Sequence, residues 1–249
     1  MNISPTEYGQ SGVAALGVPQ ANPIVEQEFF ALRPSGISFV TTRLTSPAPD
    51  LKQRLCDYLT NMVGYARDFD DLSINVFGVA CTGSSYLLGR KTEQELIKHA
   101  EAALRYPVVT AAMAIQESLA LLNVKRISIV APYPEWIIQS ATDYWSSVGY
   151  TVADLRRIEI DPTNVHSIYR LTSGDAAAAA ENLDCSATEA IVFTGTGMPT
   201  LGAIQPVAAA SGLPVMSSNL CLLSAIGRRL GVTEAPVMPV PQALDTNSL

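Results

Sequence analysis

The sequence predicts an α/β fold of two pseudo-symmetric halves, each a mostly parallel sheet flanked by helices. Three observations lead to this prediction. Short apolar runs of the kind found in strands alternate with helical patterns of about 10–15 residues, which is typical of βαβ units. The same plan runs through both halves of the chain. In each half a strand-like run ends in a loop with Thr-Gly before a helix, at Thr82-Gly83 and at Thr196-Gly197.

The composition is that of a globular protein with a large core. Hydrophobic residues make up 48% of the 249 residues and charged residues 16%, which excludes an intrinsically disordered chain. The formal net charge is −7, and no basic run occurs. Because a protein that binds a phosphate backbone needs a positive face, we expect no nucleic-acid partner.

The sequence shows neither a membrane-span pattern nor a secretory leader. Its apolar runs fall short of the about 20 residues that cross a bilayer, and no basic segment followed by an apolar one opens the chain. Four cysteines occur without CxxC spacing, at Cys56, Cys81, Cys185 and Cys221. The whole chain has only two histidines, so its cysteines and histidines predict neither a metal site nor a disulfide framework. We therefore expect a reduced, cytoplasmic protein without a membrane partner.

Hydrophobic periodicity places the individual elements. Apolar or alternating runs predict strands over residues 13–18, 37–43, 72–80, 108–110, 126–131, 190–194 and 215–217. Apolar residues spaced three and four apart predict helices over residues 51–68, 111–122, 135–148, 176–183, 201–211 and 220–230. A further helix is predicted to begin at Thr92, because Glu95 follows three residues later and completes a capping box.

These elements divide into two units. Residues 12–110 form the predicted first half and residues 111–231 the second, with the C-terminal helix free to pack back on the first. The polar or Pro-rich ends, 1–11 and 232–249, are predicted to be loose. Neither a GxGxxG fingerprint nor a GxxxxGK[ST] loop occurs, so we expect no nucleotide and, without a metal cluster, no cofactor.

Two loops at strand ends carry small residues that could hold a ligand. The first is Cys81-Thr82-Gly83-Ser84 and the second is Gly195-Thr196-Gly197. In open parallel sheets ligands bind outside the carboxyl ends of the strands, where exposed backbone N–H groups can hold a carboxylate. If the halves face each other, both loops border one cleft. The alternative is two ordinary strand-to-helix turns, because Thr-Gly is a common pair.

Cys81 is the candidate reactive group. A cysteine beside several N–H donors is expected to have a lowered pKa and can act as a nucleophile or an acid/base. The alternative for any cysteine is a small buried hydrophobe. We assign Cys56 and Cys185 to that structural class, whereas Cys221, at the start of a late helix, stays undecided.

Four segments along the chain carry a resemblance to a known family. They are Val18-Pro19-Gln20-Ala21-Asn22, the Cys81 loop over residues 80–86, Val130-Ala131-Pro132-Tyr133, and residues 191–201 followed by 213–218. In this order and spacing they resemble the Asp/Glu racemase superfamily, and within it the branch of maleate cis–trans isomerases and arylmalonate decarboxylases. Taken in the same order, the four segments resemble the N-terminal substrate-binding loop, the first catalytic loop, the loop with a substrate-binding tyrosine and the second catalytic loop of that branch. The likeness covers roughly residues 12–231.

The resemblance implies an active site in the cleft between the two halves. Most members of the superfamily use two cysteines, one from each half. Here Cys81 fills the first position and Gly195 stands at the second, so the chain resembles a one-cysteine member. Asn164 lies near a further asparagine of the isomerases, at a different spacing. By the same resemblance the substrate-binding residues are Asn22, Thr82, Gly83, Ser84, Tyr133, Gly195, Thr196 and Gly197.

The resemblance implies a cofactor-independent, cysteine-dependent enzyme that acts on a small carboxylate or dicarboxylate. Our first expectation is decarboxylation of a substituted, arylmalonate-type malonate through an enediolate that Cys81 protonates, because this needs one cysteine. The decarboxylases, however, carry their cysteine in the second half. The alternative is maleate-type cis–trans isomerisation, in which a first-half cysteine is the expected nucleophile. A non-catalytic carboxylate-binding protein is the third reading, and a homo-oligomer is left open.

Overall fold

The computed structural model describes residues 7–161, 164 and 166–232. Its strands are β1 (Gly12–Pro19), β2 (Ile37–Leu44), β3 (Val76–Val79), β4 (Val108–Thr110), β5 (Arg126–Ala131), β6 (Thr151–Arg157), β7 (Ala190–Phe193) and β8 (Val215–Ser217). Its helices are α1 (Val25–Leu32), α2 (Leu51–Thr60), α3 (Met62–Arg67), α4 (Thr82–Leu104), α5 (Ala111–Leu121), α6 (Glu135–Ser147), α7 (Ser173–Ala180), α8 (Leu201–Ser211) and α9 (Ser218–Arg229), with a short 3₁₀ helix at Ser167–Arg170. Within these described ranges no helix combines the length and the apolar character needed to cross a membrane.

The strands form two four-stranded parallel sheets with the same strand order. One sheet runs β2-β1-β3-β4 and the other runs β6-β5-β7-β8. The chain moves outward from β1 to β2 and then crosses back to β3, and it repeats this path from β5 through β6 to β7. The junctions β1/β3 and β5/β7 are therefore switch points, where the following loops diverge and leave a crevice. The predicted α/β fold with a parallel sheet in each half is confirmed.

Buried apolar side chains form three clusters around the two sheets. On β1, Ala14, Leu16 and Val18 face a central cluster, whereas Val13 and Ala15 face an outer one. Both faces are buried, so the strand appears in the sequence as a continuous apolar run. The central cluster contains residues of both sheets and of α5, α6 and α9. This shared core fixes the two sheets relative to each other.

The last helix packs back on the first sheet. α9 lies against α1 and α5 and reaches β3 and β4. Gly78 of β3 makes room for this approach, because a Cβ there would lie 2.9 Å from Cδ1 of Ile226. The division of the chain at residue 110 falls between the two sheets and stays a prediction as a domain boundary. Of the predicted loose ends, residues 1–6 and 233–249 lie outside the described residues.

Several predicted elements differ from the observed ones by one to three residues at an end, and three further differences have a clear structural basis. The helix predicted over 51–68 is interrupted at Asn61, which ends α2 and begins α3. The strand predicted over 72–80 starts only at Val76, and the side chain of Asn75 before it accepts a hydrogen bond from the N–H of Val13 (2.8 Å). The capping box at Thr92 is wrong, because Thr92 lies inside α4 beyond a break at Gly89 (φ +75°).

Three elements were missed, namely α1, β6 and the 3₁₀ helix at Ser167–Arg170. α1 is short, and β6 is an edge strand whose polar residues interrupt any apolar run. Asp154, Arg156 and Arg157 occupy three of its seven positions. An edge strand has one hydrogen-bonded neighbour and one open side, so it tolerates charges that a central strand excludes.

Candidate active site

The loops after the four central strands meet around a cavity of about 580 Å³. Asn22 follows β1, Cys81 follows β3, Tyr133 follows β5 and Gly195 follows β7, and all four line the cavity. Thr82, Gly83, Thr196 and Gly197 line it as well, so eight of the nine predicted site residues border one space. The ninth, Ser84, lies behind Cys81.

Cys81 is a buried thiol at the N-terminus of α4. Its sulfur accepts a hydrogen bond from the Ser84 hydroxyl (Oγ to Sγ 3.1 Å) and from the backbone N–H groups of Gly83 and Ser84. Burial raises the pKa of the Cys81 thiol, and these hydrogen bonds offset only part of the increase. The lowered pKa expected from the sequence is therefore wrong, because the donors were visible in the sequence and the burial was not.

The two candidate catalytic loops touch each other directly. The hydroxyl of Thr196 donates to the carbonyl of Ala80, the residue before Cys81 (2.8 Å). The amide of Asn22 donates in turn to Thr196 (Nδ2 to Oγ1 3.3 Å), and its oxygen accepts from the N–H of Ile24 (2.9 Å). These contacts hold the loops after β1, β3 and β7 together at the edge of the cavity.

Tyr133 forms a hydroxyl pair with Thr82. The two oxygens lie 2.5 Å apart, and either hydroxyl can be the donor. Burial raises the pKa of Tyr133 well above its usual value, so the phenol stays protonated at neutral pH. The Tyr133 hydroxyl also has a hydrogen bond with the side chain of Thr194, so Thr82, Tyr133 and Thr194 form one hydroxyl chain at the cavity.

Gly195 leaves open the position at which a second cysteine would stand. Its φ of +107° lies where side chains are disfavoured, and a Cβ would come within 3.1 Å of Cδ of Pro132. Its N–H donates to the hydroxyl of Ser218 (3.1 Å). The cavity wall at Gly195 is therefore backbone, without a side-chain acid at this position.

Comparisons with known proteins identify the family. The model of a family described as arylmalonate decarboxylase matches residues 15–237. The chain belongs to this family. The resemblance seen in the sequence is confirmed, and the chain is an enzyme of the maleate isomerase and arylmalonate decarboxylase family.

Relatives with curated names and solved structures are similar over nearly the whole chain. The maleate isomerase of Pseudomonas putida is 27% identical over 91% of this chain and 94% of that protein. A maleate cis–trans isomerase of Nocardia farcinica, a cysteine-to-serine variant with a covalently bound succinylcysteine intermediate, has a TM-score of 0.79 at 24% identity, covering 89% and 93%. A crystal structure of arylmalonate decarboxylase has a TM-score of 0.75 at 17% identity, covering 91% and 95%. These two structures share the fold with this chain.

A buried carboxylate, that of Glu28, is connected by hydrogen bonds to the loop that contains Thr196. Glu28 of α1 accepts hydrogen bonds from the N–H groups of Thr200 (2.6 Å) and Leu201 (3.1 Å), at the N-terminus of α8. It also accepts from the amide of Asn219 (2.7 Å), which donates to the carbonyl of Thr196 as well (3.1 Å). Glu28 therefore connects α1, α8 and α9 to the loop that faces Cys81.

We expect Gly195→Ala to lower the free energy of unfolding by about 1–3 kcal/mol, the usual cost of a strained backbone conformation. The added Cβ also presses on Pro132. Denaturant titration measures the change. Gly64→Ala is the matched control, since a Cβ there meets nothing within 4 Å and helix α3 gains a better helix former. Equal stability of Gly195→Ala and the wild type would contradict the expectation.

The part of the cavity wall formed by α2 and the 3₁₀ helix was missed in the sequence. Arg54 and Tyr58 of α2 line it, together with His166 and Tyr169 around the 3₁₀ helix. A weak signal existed, because Arg54 and Tyr58 are four residues apart and share a helix face. Asn164, which the resemblance placed near a further asparagine of the isomerases, accepts a hydrogen bond from the N–H of His166 (3.0 Å) and does not line the cavity.

The other cysteines lie away from the cavity. Cys56 and Cys185 are partly buried, and neither is a lining residue. Cys221 is fully buried in α9 among the central cluster, and burial raises its pKa to about 12. We therefore assign Cys221, undecided from the sequence, to the core.

Proposed function

We propose that the chain is a cofactor-independent cis–trans isomerase of a maleate-type dicarboxylate, with Cys81 as the nucleophile. The observation that carries the proposal is the sulfur of Cys81, which accepts hydrogen bonds at the N-terminus of α4 and lines the same cavity as Gly195. Donors aimed at sulfur stabilise a thiolate. The relatives favour isomerisation over decarboxylation. The curated relatives are maleate isomerases, and one of the solved ones, from Pseudomonas putida S16, was crystallised with maleate.

The reaction needs one thiol and no redox partner. The thiol proton of Cys81 first leaves to water. The thiolate then adds to one alkene carbon, and the π electron pair moves onto the other carbon and into its carboxylate as an enediolate. The former double bond is now single and rotates by half a turn. The C–S bond then breaks, its electron pair leaves with the sulfur, and the enediolate pair re-forms the double bond in the trans geometry.

Hydroxyl and N–H groups around the cavity stabilise the enediolate. The hydroxyls of Tyr133 and Thr82 line the cavity and can turn toward one of its oxygens. Asn22 is held at the rim by Thr196 and Ile24, which fixes its amide for a carboxylate. Donors that are already oriented stabilise developing negative charge without reorganising during the reaction.

Decarboxylation remains the second candidate, on a specific observation. Burial raises the pKa of Cys81, so the resting thiol is protonated at neutral pH and can donate its proton to carbon. In this reaction CO₂ leaves a substituted malonate, and the remaining enediolate takes the thiol proton from the Cys81 side. Water then returns a proton to the thiolate.

One assay separates the two candidates. Purified protein is incubated in D₂O with maleate or with phenylmalonate, and fumarate, phenylacetate and CO₂ are followed by NMR. We expect fumarate from maleate, without deuterium on carbon, because Gly195 supplies no acid to protonate the intermediate. Phenylacetate and CO₂ with unchanged maleate would support decarboxylation instead. Binding of both acids without turnover of either would support a carboxylate-binding protein and reject both enzymatic proposals.

A further inference from the structure

The cavity has a cationic side chain that the reaction at Cys81 does not use. Arg54 of α2 lines the cavity, and its guanidinium donates to the backbone carbonyls of Ala48 (3.1 Å) and Pro49 (3.5 Å). Its Nε is buried and has no hydrogen-bond partner. Among the described residues no carboxylate pairs with Arg54, although an arginine fork suits a carboxylate well.

Arg54 and Cys81 act on the same two tyrosines. Tyr58 and Tyr169 both line the cavity, and burial is the main cause of their raised pKa values. The charge of Cys81 adds to that increase in both tyrosines, and the charge of Arg54 opposes it in both. The guanidinium, the two phenols and the thiol all line this one cavity.

The other arginine that lines the cavity is already paired. Arg157 forms ion pairs with Glu135 (3.7 Å) and with Glu159, and both glutamates line the cavity too. That side of the cavity consequently offers no net positive charge to a ligand. An anionic group entering the cavity is drawn toward Arg54.

We propose that Arg54 binds the second carboxylate of a dicarboxylate substrate, while the first lies among the donors around Cys81. This inference rests on the proposed function, in which Cys81 attacks an unsaturated dicarboxylate. Binding neutralises the charge of the guanidinium in a partly buried place. It makes the enzyme selective for dianions over monoanions of the same shape, such as a dicarboxylate over its monoamide.

The test compares maleate with its monoamide, maleamate, in the wild type and in Arg54→Gln. Hydrogen bonds between charged groups are strong enough that we expect KM for maleate to rise about 10- to 100-fold. KM for maleamate should change by less than about threefold, and kcat should change little for either substrate. Arg54→Lys should recover part of the loss. Lys52→Gln is the matched control, because it removes an exposed cation from the same helix, and it should change neither KM.

An equal increase of KM for both substrates would overturn the proposal, because it would indicate that Arg54 only holds the segment at Ala48 and Pro49. A second measurement keeps the proposal testable if maleate is not turned over. Succinate, which cannot react, should protect Cys81 from iodoacetamide in the wild type better than succinamate does. Arg54→Gln should lose this difference, while the melting temperature reports whether the variant is folded. The same protection by succinate in both proteins would overturn the Arg54 proposal, whatever the fate of the isomerase proposal.

Discussion

Cys81→Ala is expected to remove nearly all turnover while leaving the fold intact. A general acid or base contributes about 10²–10⁴-fold to a rate, and a covalent nucleophile can contribute more. The side chain is small, so its loss leaves a small space next to Ser84. Rates are measured with the substrate that the NMR assay identifies, and circular dichroism monitors the fold. Cys185→Ala is the control, because its thiol lies outside the cavity, and wild-type turnover in Cys81→Ala would end the nucleophile proposal.

The pH dependence reports which form of Cys81 reacts. Burial raises the pKa of this thiol, so the thiolate is formed only above the ordinary cysteine value of about 8.5. If the thiolate is the nucleophile, kcat/KM rises with pH through that range. If the thiol is the proton donor of a decarboxylation, kcat/KM falls through the same range, because the proton is lost. The direction of the slope, measured with the substrate that the NMR assay identifies, therefore shows whether the thiolate or the thiol reacts.

The sequence predicts an element well where apolar residues mark it over its whole length. The strands β5 and β8 and the helix α8 have the predicted boundaries for this reason. β6 carries no such signal, since an edge strand tolerates charge. The capping box at Thr92 failed because the helical part of α4 that follows the break at Gly89 already includes Thr92, so this residue is not its N-cap.

The site divides in the same way. The loops around Cys81 and Gly195 could be found from the sequence, because short motifs at strand ends are local features. The burial that raises the pKa of Cys81 depends on elements packed from elsewhere in the chain, as does the approach of Arg54. Glu28 is the clearest case, because its hydrogen bond to Thr200 spans 172 positions of the sequence.

The two pseudo-equivalent helices differ in what lies at their N-terminal ends. The N–H groups at the start of α4 point to the sulfur of Cys81 at the cavity. The N–H groups at the start of α8 are occupied by the carboxylate of Glu28. Because negative charge is stabilised at a helix N-terminus, α8 already holds its anion and α4 remains available to the reacting group. The two halves share a fold, and this difference agrees with the proposal that the chemistry belongs to the first of them.

Glu28→Ala is therefore expected to affect both stability and turnover. It leaves the N–H groups of Thr200 and Leu201 and the amide of Asn219 without their acceptor. Each buried donor without a partner costs about 1–3 kcal/mol, and water that enters the vacated space recovers part, so we expect a loss of about 2–4 kcal/mol in the free energy of unfolding. Denaturant titration measures this loss.

Turnover in Glu28→Ala is expected to fall even at temperatures where the variant is fully folded. Asn219 loses its anchor and no longer fixes the carbonyl of Thr196, so the loop facing Cys81 shifts. A displacement of about 1 Å in a reacting geometry can cost about 10²-fold, and we expect kcat to decrease by about 10- to 100-fold while KM changes less. Gln27→Ala, an exposed change on the same helix, should leave both quantities within error. A destabilised Glu28→Ala with wild-type kcat below its melting temperature would show that Glu28 supports the fold without positioning the loop.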